Sequence, residues 1–465
     1  MVDSENFNLD FLPDDREGIY LVGGTVRDML TGVRPADIDI VADRDVTHVA
    51  RRIAHKTGGT VVDLGKKGFA VLRVASPAVT VDITPLDQAS IEADLRQRDF
   101  TINAMAYDVA AQRLVDCTGG QVDMQRRIIR MVSPSAFEND PARLIRAYRM
   151  AAVFHFSITE DTQAAIRRFR HLIGNAAGER IWSELAKIFS VPDSATIIRN
   201  MGASGLLTAI FPELLPAVGC TQSRPHHHDV FDHSILAYEQ LETLLRDFCI
   251  DAAGLPGAAR SASPRTHAVM LKYSALLHDV GKPATRQVDA SGRIRFPGHA
   301  ATSADIAGQI SRRLKLSRKQ REAADTIIRH HIRPLYLYLA ADAETVGRRG
   351  IIRFFKACGQ MALPIIVHAM ADIMAKGKHL EDRDRGFIAF GHHLIREYEA
   401  FENRQAAAPP LIGGHDLIDR FGLSPSPRFK QILAGVDERR LAGELTTREE
   451  ALKWVGEYLK RIAGR

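Results

Sequence analysis

The chain is poor in cysteine. It has four in 465 residues, Cys117, Cys220, Cys249 and Cys358, and no CxxC pair. That spacing argues against a disulfide framework and a cysteine-based zinc site, and it fits a reducing cytoplasm. No run reaches the roughly 18 uninterrupted apolar residues that cross a bilayer, so no membrane span is expected. The opening, MVDSENFNLDFLPDDREG, is acidic and has no basic-then-apolar leader. Repeats and low-complexity arrays are absent. What remains is ordinary globular material, 45% hydrophobic and 25% charged, which excludes a disordered tail or a fibre. The length predicts about 3 domains. A net charge of +6 is compatible with a polyanionic partner without requiring one.

The first 128 residues read as mixed α/β. IYLV (19–22), DIDIVA (37–42), FAVLRV (69–74) and VTVDIT (79–84) are β-branched runs, and VRDML (26–30) starts a helix after Gly23-Gly24. From about Pro141 the pattern is helical, with one further strand expected around Arg293–Phe296. Breaks fall at 211–219, 252–264 and 404–410. The expected division is a head (1–128), a helical neck (129–215), a helical domain (216–385) and a helical tail (386–465).

Asp37 and Asp39 alternate with Ile38 and Ile40. On a strand, residues two apart share a face, so both carboxylates point one way while both isoleucines enter the core. Paired carboxylates repel unless a cation sits between them, and Mg²⁺ suits such hard oxygen ligands. The alternation in VTVDIT makes Asp82 a candidate third carboxylate on a neighbouring strand. Gly23-Gly24 lets a phosphate approach the backbone, and Arg27 adds a charged fork. Placed on a helix over 140–152, Arg143, Arg146 and Arg149 form one stripe opposite Leu144, Ile145, Tyr148 and Ala152. That stripe is either a solvated basic face or a cradle for a triphosphate or a base edge.

A separate constellation lies between 226 and 372. His233, then His278-Asp279, then Asp372 follow the order H…HD…D, with His299 and His330 as candidates for a second cation or a phosphate site. Basic runs at 167–170 and 311–322 are solvated faces or contacts for an RNA backbone.

LVGGTVRDMLTGVRPADIDIV, DLRQRDFTINAMAYD (94–108), LVDCTGGQVDMQRRIIR (114–130), ENDPARLIRAYRMAAVFHFSI (138–158) and GERIWSELAKIF (178–189) occur in that order. Together they resemble the motifs of class II tRNA nucleotidyltransferases and bacterial poly(A) polymerases. The histidine-rich region resembles the HD phosphohydrolases, and the tail is similar to the family's C-terminal helical module. The resemblance implies an α+β fold: a polymerase β-like head with a small mixed sheet, then a helical neck, HD domain and tail. It implies template-independent transfer of C and/or A from CTP and ATP to the tRNA 3′ acceptor end. Asp37, Asp39 and Asp82 would serve catalysis, and Asp37 and Asp39 would hold Mg²⁺ in a two-metal reaction. Gly23, Gly24, Arg27, Arg98, Asp99 and Asn103 would bind the nucleotide. Asp140 and Arg143 would read its base, and Arg146 and Arg149 would steady it. His233, His278, Asp279 and Asp372 would hold a second kind of divalent metal (Mn, Ni, Fe or Mg), with phosphatase or 2′,3′-cyclic phosphodiesterase activity.

Three departures from the family pattern stand out. Gln97-Arg98-Asp99 replaces Arg-Arg-Asp, and Asn139-Asp140 replaces Glu-Asp. Only PLDQASIEA (85–93) lies where many CCA-adding relatives carry a longer loop that switches C to A addition. The short segment weakens full CCA addition and favours CC addition. The competing readings are a poly(A) polymerase acting on generic RNA and an HD phosphohydrolase with an RNA-binding head. Oligomeric state is not legible.

Overall fold

The computed structural model describes residues 9–35, 37–65, 71–223, 227–251, 264–342, 347–377, 380–407 and 409–463. The chain forms two compact units. One comprises residues 1–191 and 197–210, the other residues 192–196 and 211–465.

The first unit begins with strand β1 (Ile19–Val22), helix α1 (Gly24–Leu30), strand β2 (Asp37–Ala42), helix α2 (Val46–Thr57), and strands β3 (Thr60–Asp63), β4 (Leu72–Ala75) and β5 (Thr80–Pro85). Strands β6 (Ala106–Asp108) and β7 (Arg113–Val115) complete a seven-stranded sheet of order β3-β4-β5-β2-β1-β6-β7. Only β2 and β5 run parallel, so the sheet is mixed as expected. The period of two holds in β2: Ile38 and Ile40 are buried with Ile19, Leu21 and Val81 in one core that also takes Val49 and Ile53 of α2. The run expected at 69–74 is found at 72–75; residues 69 and 70 lie outside the described residues. Strands β3, β6 and β7 were not foreseen, being three or four residues long and partly polar.

The neck helix is α3 (Arg143–Phe154), packed on α4 (Gly178–Ser190). Leu144, Ile145, Tyr148 and Ala152 are buried as the periodicity predicts, together with Ala147, Met150 and Ala151. Asp140 is not on this helix. It precedes Pro141, and its backbone is extended (φ −147°, ψ 93°), because the proline ring disfavours a helical conformation at the residue before it.

The second unit is almost wholly helical. Its elements include α5 (Val230–Asp251), α6 (Pro264–Leu277), α7 (His299–Arg313), α8 (Arg318–His330) and α9 (Ala362–Met374). A two-stranded ribbon, Gln287–Val288 with Ile294–Arg295, sits where the one late strand was expected. Among the described residues, Arg348–Met374 alone is long and apolar enough to span a bilayer. It is interrupted at Gly359–Met361, more than half of it is buried, and it carries His368 and Asp372. The three expected boundaries fall inside elements: Ile128–Ile129, Pro212–Ala217 and the 26-residue helix Asp382–Ala407. Composition shifts locate such junctions only to within an element, because a helix can run through them unbroken.

Candidate active sites

The head site grows from strand register. Parallel pairing sets Asp39 of β2 directly beside Asp82 of β5, while Asp37, two residues back, pairs with Thr80. Burial and the nearby Asp82 charge push the Asp39 carboxyl up to about 6. Its backbone N–H is held by Thr25 Oγ1 at 2.8 Å. At the end of β1 the chain turns on Gly23, which has φ +64°. A Cβ there would be strained and would come within 3.1 Å of Arg98 Nη1 and 3.6 Å of Asp39 Oδ2. Gly23 thus leaves the floor open between α1 and the carboxylates. Asp82 carries a feature that the sequence reading missed. Arg73 on β4, its cross-strand partner, grips both carboxylate oxygens at 2.7 Å. This pairing gives Asp82 a counter-charge on β4, while its own charge still acts on Asp39.

Gly23, Asp37, Asp39, Asp82 and Arg98 line a cleft of about 1120 Å³ that also takes in Asp140, Arg143 and Arg180. Along it runs a continuous polar chain. Arg27 Nη1 donates to Asn103 Oδ1 at 2.7 Å, and Asn103 Nδ2 donates to Asp99 Oδ1 at 3.1 Å. Arg146 Nη1 donates to Asp99 Oδ2 at 3.0 Å, and its Nε reaches Glu184 Oε1 at 3.2 Å. Glu184 also accepts from Arg149. Burial would raise the Asp99 pKa, but the Arg146 charge and three hydrogen bonds outweigh it and hold the carboxyl below its usual range. Arg98 is held by Asp94 at 2.9 Å.

Of the two readings of the arginine stripe, the solvated basic face does not describe it. Arg146 and Arg149 are pinned by buried Glu184 of α4, a residue the sequence reading did not single out. Arg143 does point into the cleft region. Its Nη1 donates to the Gln97 and Ala136 carbonyls at 3.3 Å, and its buried Nε has no hydrogen-bond partner. Asp140 faces the same cleft but is held by a bidentate fork from Arg180, at 2.9 and 2.7 Å. Burial would raise the Asp140 pKa, and the Arg180 bonds and charge override it downward. Arg180 lies in the motif at 178–189, two residues after its start, where the resemblance singled out no residue.

The second site is a cage of imidazoles and carboxylates in the other unit. His233, His278, Asp279 and Asp372 offer ligand atoms all within 4.8 Å of one another, and Asp279, His299 and His331 form a second such group. Among the described residues these are the groups of three or more metal-ligating side chains that converge so tightly; the head carboxylates do not. His330 is a correction. It is only partly buried, whereas His331 is buried and sits inside the cage. Adjacent residues at the end of α8 point about 100° apart, so only one of the two can face Asp279. His368, unforeseen, is buried one turn before Asp372 on α9, a pair that the spacing HAMAD could have revealed.

The cage fits divalent cations by its chemistry. His278 Nε2 and Asp279 Oδ1 are buried with no hydrogen-bond partner, and Asp279 Oδ2 lies 3.1 Å from His278 Nε2. Burial works against charge on His278, yet Asp279 and Asp372 push its pKa up to about 10. Burial together with His278 pushes His331 down to about 3. Carboxylates that converge on imidazole Nε2 atoms in this way are the donor set of a divalent cation. Lys282 Nζ completes the surround, 2.6 Å from Asp279 and 2.7 Å from Gln222.

Family models match three stretches of the chain. The poly(A) polymerase head domain matches residues 19–130, a probable RNA-binding region of the polymerase matches 155–218, and the HD domain matches 230–352. The A-adding tRNA nucleotidyltransferase of Deinococcus radiodurans is 34% identical over 97% of this chain and 98% of its own. The chain belongs to the class II tRNA nucleotidyltransferase family. Another relative, the CC-adding tRNA nucleotidyltransferase of Thermus thermophilus, is 30% identical over 94% of both chains. The Thermotoga maritima CCA-adding enzyme, solved with tRNA, shares the fold with a TM-score of 0.63, 20% identity and coverage of 95% and 91%. As a tRNA nucleotidyltransferase with a head, an RNA-binding region and an HD domain, the protein is an enzyme that adds C or A to tRNA 3′ ends, and its fold class is the expected α+β.

Proposed function

We propose that this tRNA nucleotidyltransferase adds part of the CCA end, either CC or A, from CTP or ATP. The observation that carries this is the short connection after β5. Strand β5 ends at Pro85, and the next helix already starts at Ile91, with Ser90 as its cap. Five residues cannot form the long switching loop that full CCA addition would call on. Relatives with both partial specificities, A-adding and CC-adding, support the same reading. Asp37 and Asp39 would hold Mg²⁺, which supplies charge neutralisation for the triphosphate and activation of the RNA 3′-hydroxyl. Asp82 would join them once parted from Arg73. Arg27, Arg98, Asp99 and Asn103 would cradle the phosphates and ribose beside Gly23 and Gly24. Asp140 and Arg143 would present hydrogen-bonding edges to the base, with Arg146 and Arg149 holding that wall in place. The test uses tRNAs ending before CCA, after C and after CC, each with CTP, ATP and Mg²⁺, followed by product sequencing. Extension confined to C on the first two or to A on the third is expected. A complete CCA on the shortest tRNA overturns the proposal, and long adenosine tails on generic RNA would favour a poly(A) polymerase.

The cage carries a second reading. We infer that His233, His278, Asp279 and Asp372 hold one divalent cation, with Asp279, His299 and His331 offering a second position. Water activated there would hydrolyse phosphorylated or cyclic-phosphate RNA 3′ ends. We assign head, neck, HD domain and tail to the expected four segments, with junctions moved to the ends of the elements that cross them. A cytoplasmic location matches the tRNA substrate and the free thiols of Cys117, Cys220 and Cys358.

A further inference from the structure

Four of the five imidazoles in the cage share one arrangement. Their Nδ1 atoms face main-chain carbonyls: His233 to Ala375 at 3.3 Å, His278 to Ala275 at 2.9 Å, His299 to Phe296 at 2.8 Å and His331 to Ile328 at 2.7 Å. A nitrogen beside a carbonyl donates its proton there, which leaves Nε2 of each ring as the atom that faces the cage. Such anchoring orients a histidine as a metal ligand.

His368 breaks the pattern. It is 1% exposed, and neither ring nitrogen has a hydrogen-bond partner. Its ring packs edge-on against His278 at 5.0 Å and His331 at 5.8 Å between centroids. The rest of its helix is apolar here, with Ile365, Ile366, Val367, Ala369 and Met370 all buried. Leaving a polar atom buried and unpaired is costly, so an apolar residue would serve a purely packing role better. Yet His368 belongs to neither group of converging ligand atoms, which argues against direct coordination. A group next to the cage, outside the reach of a ligand, short of a partner and able to donate or accept, matches one species: water bound to the cation.

We propose that His368 is a positioning residue that hydrogen-bonds a water on the caged cation. The inference rests on the reading of the cage as a metal site. It explains why an imidazole persists in an apolar helix one turn before Asp372, and why it alone lacks a carbonyl anchor. The hydrated ion would set its orientation.

The test compares the full-length wild type with His368→Gln and His368→Leu, each stripped and reloaded with Mn²⁺. Bound Mn²⁺ is counted, its water-proton relaxation is measured, and hydrolysis of a 2′,3′-cyclic nucleotide is followed. The expected result is equal Mn²⁺ content in all three. Leu should change the relaxation enhancement and lose about 10–100-fold in hydrolysis, as partners outside the ligand sphere typically do, and Gln should restore part of both. Retained Mn²⁺ in the Leu variant shows that its cage is folded. Relaxation and hydrolysis unchanged in the Leu variant would overturn the proposal, leaving His368 a packing residue. Loss of Mn²⁺ from both variants would overturn it in favour of direct ligation. A wild type that binds no Mn²⁺ would instead overturn the metal reading beneath it.

Discussion

The head cleft and the histidine cage both gather carboxylates, but by opposite means. In the head, strand register alone brings Asp39 and Asp82 side by side, and long arginines on other elements neutralise what register has crowded. In the cage, ligands come from helix faces, and main-chain carbonyls lock four imidazoles before any ion arrives. Side-chain ion pairs such as Arg73–Asp82 and Arg180–Asp140 can swap partners; a main-chain carbonyl cannot. The difference suits a head that admits a metal–nucleotide and releases pyrophosphate at each turnover, and a cage that keeps a resident ion.

Separating the two sites gives the largest expected effect. Asp279→Asn removes the carboxylate common to both ligand groups. Bound metal should be lost and hydrolysis abolished, while nucleotide incorporation on tRNA stays within about twofold; metal analysis and the two assays check this. Breaking the swappable pairs comes next. Arg180→Ala frees Asp140 from its bidentate fork, and discrimination between CTP and ATP should fall by roughly 10-fold, about one charge-assisted hydrogen bond's worth, in competition assays.

Arg73→Ala should act in the opposite sense on metal binding. Removing the Arg73 counter-charge leaves the Asp82 carboxylate uncompensated beside Asp39, so nucleotide-free Mg²⁺ should bind several-fold tighter by calorimetry, and Asp82→Asn in the same background should reverse the gain. The smallest effect is on pH. The Asp39 carboxyl titrates near 6, raised by burial and by Asp82. Below that pH the proton competes with the cation, so the Mg²⁺ concentration needed for half-maximal incorporation should rise as pH falls from 7 to 5. Above pH 7 it should be flat.

Much of this was legible in the sequence because it depended on local period. Ile38 and Ile40 inside with Asp37 and Asp39 outside needed only alternation, and buried Leu144, Ile145 and Tyr148 needed only the helical repeat. What escaped depended on partners far along the chain. Nothing in VLRV announces that Arg73 will face Asp82, since that follows from the pairing of β4 with β5. Asp140 was placed on a helix although Pro141 argued otherwise. The choice of His330 over His331 turned on a single 100° step at a helix end, finer than periodicity resolves. Arg180 and Glu184 lay within a recognised motif, but which charges they would hold became visible only when α3 and α4 were brought together.

The most direct test of the central claim is Asp39→Asn, assayed for label incorporation on tRNA lacking its 3′ end and, in the same preparation, for cage metal content. Losing the carboxylate at the middle of the cluster should cost roughly 10³-fold in incorporation, with caged metal unchanged. Incorporation at the wild-type rate would contradict the account, because the chemistry would then lie elsewhere in the molecule.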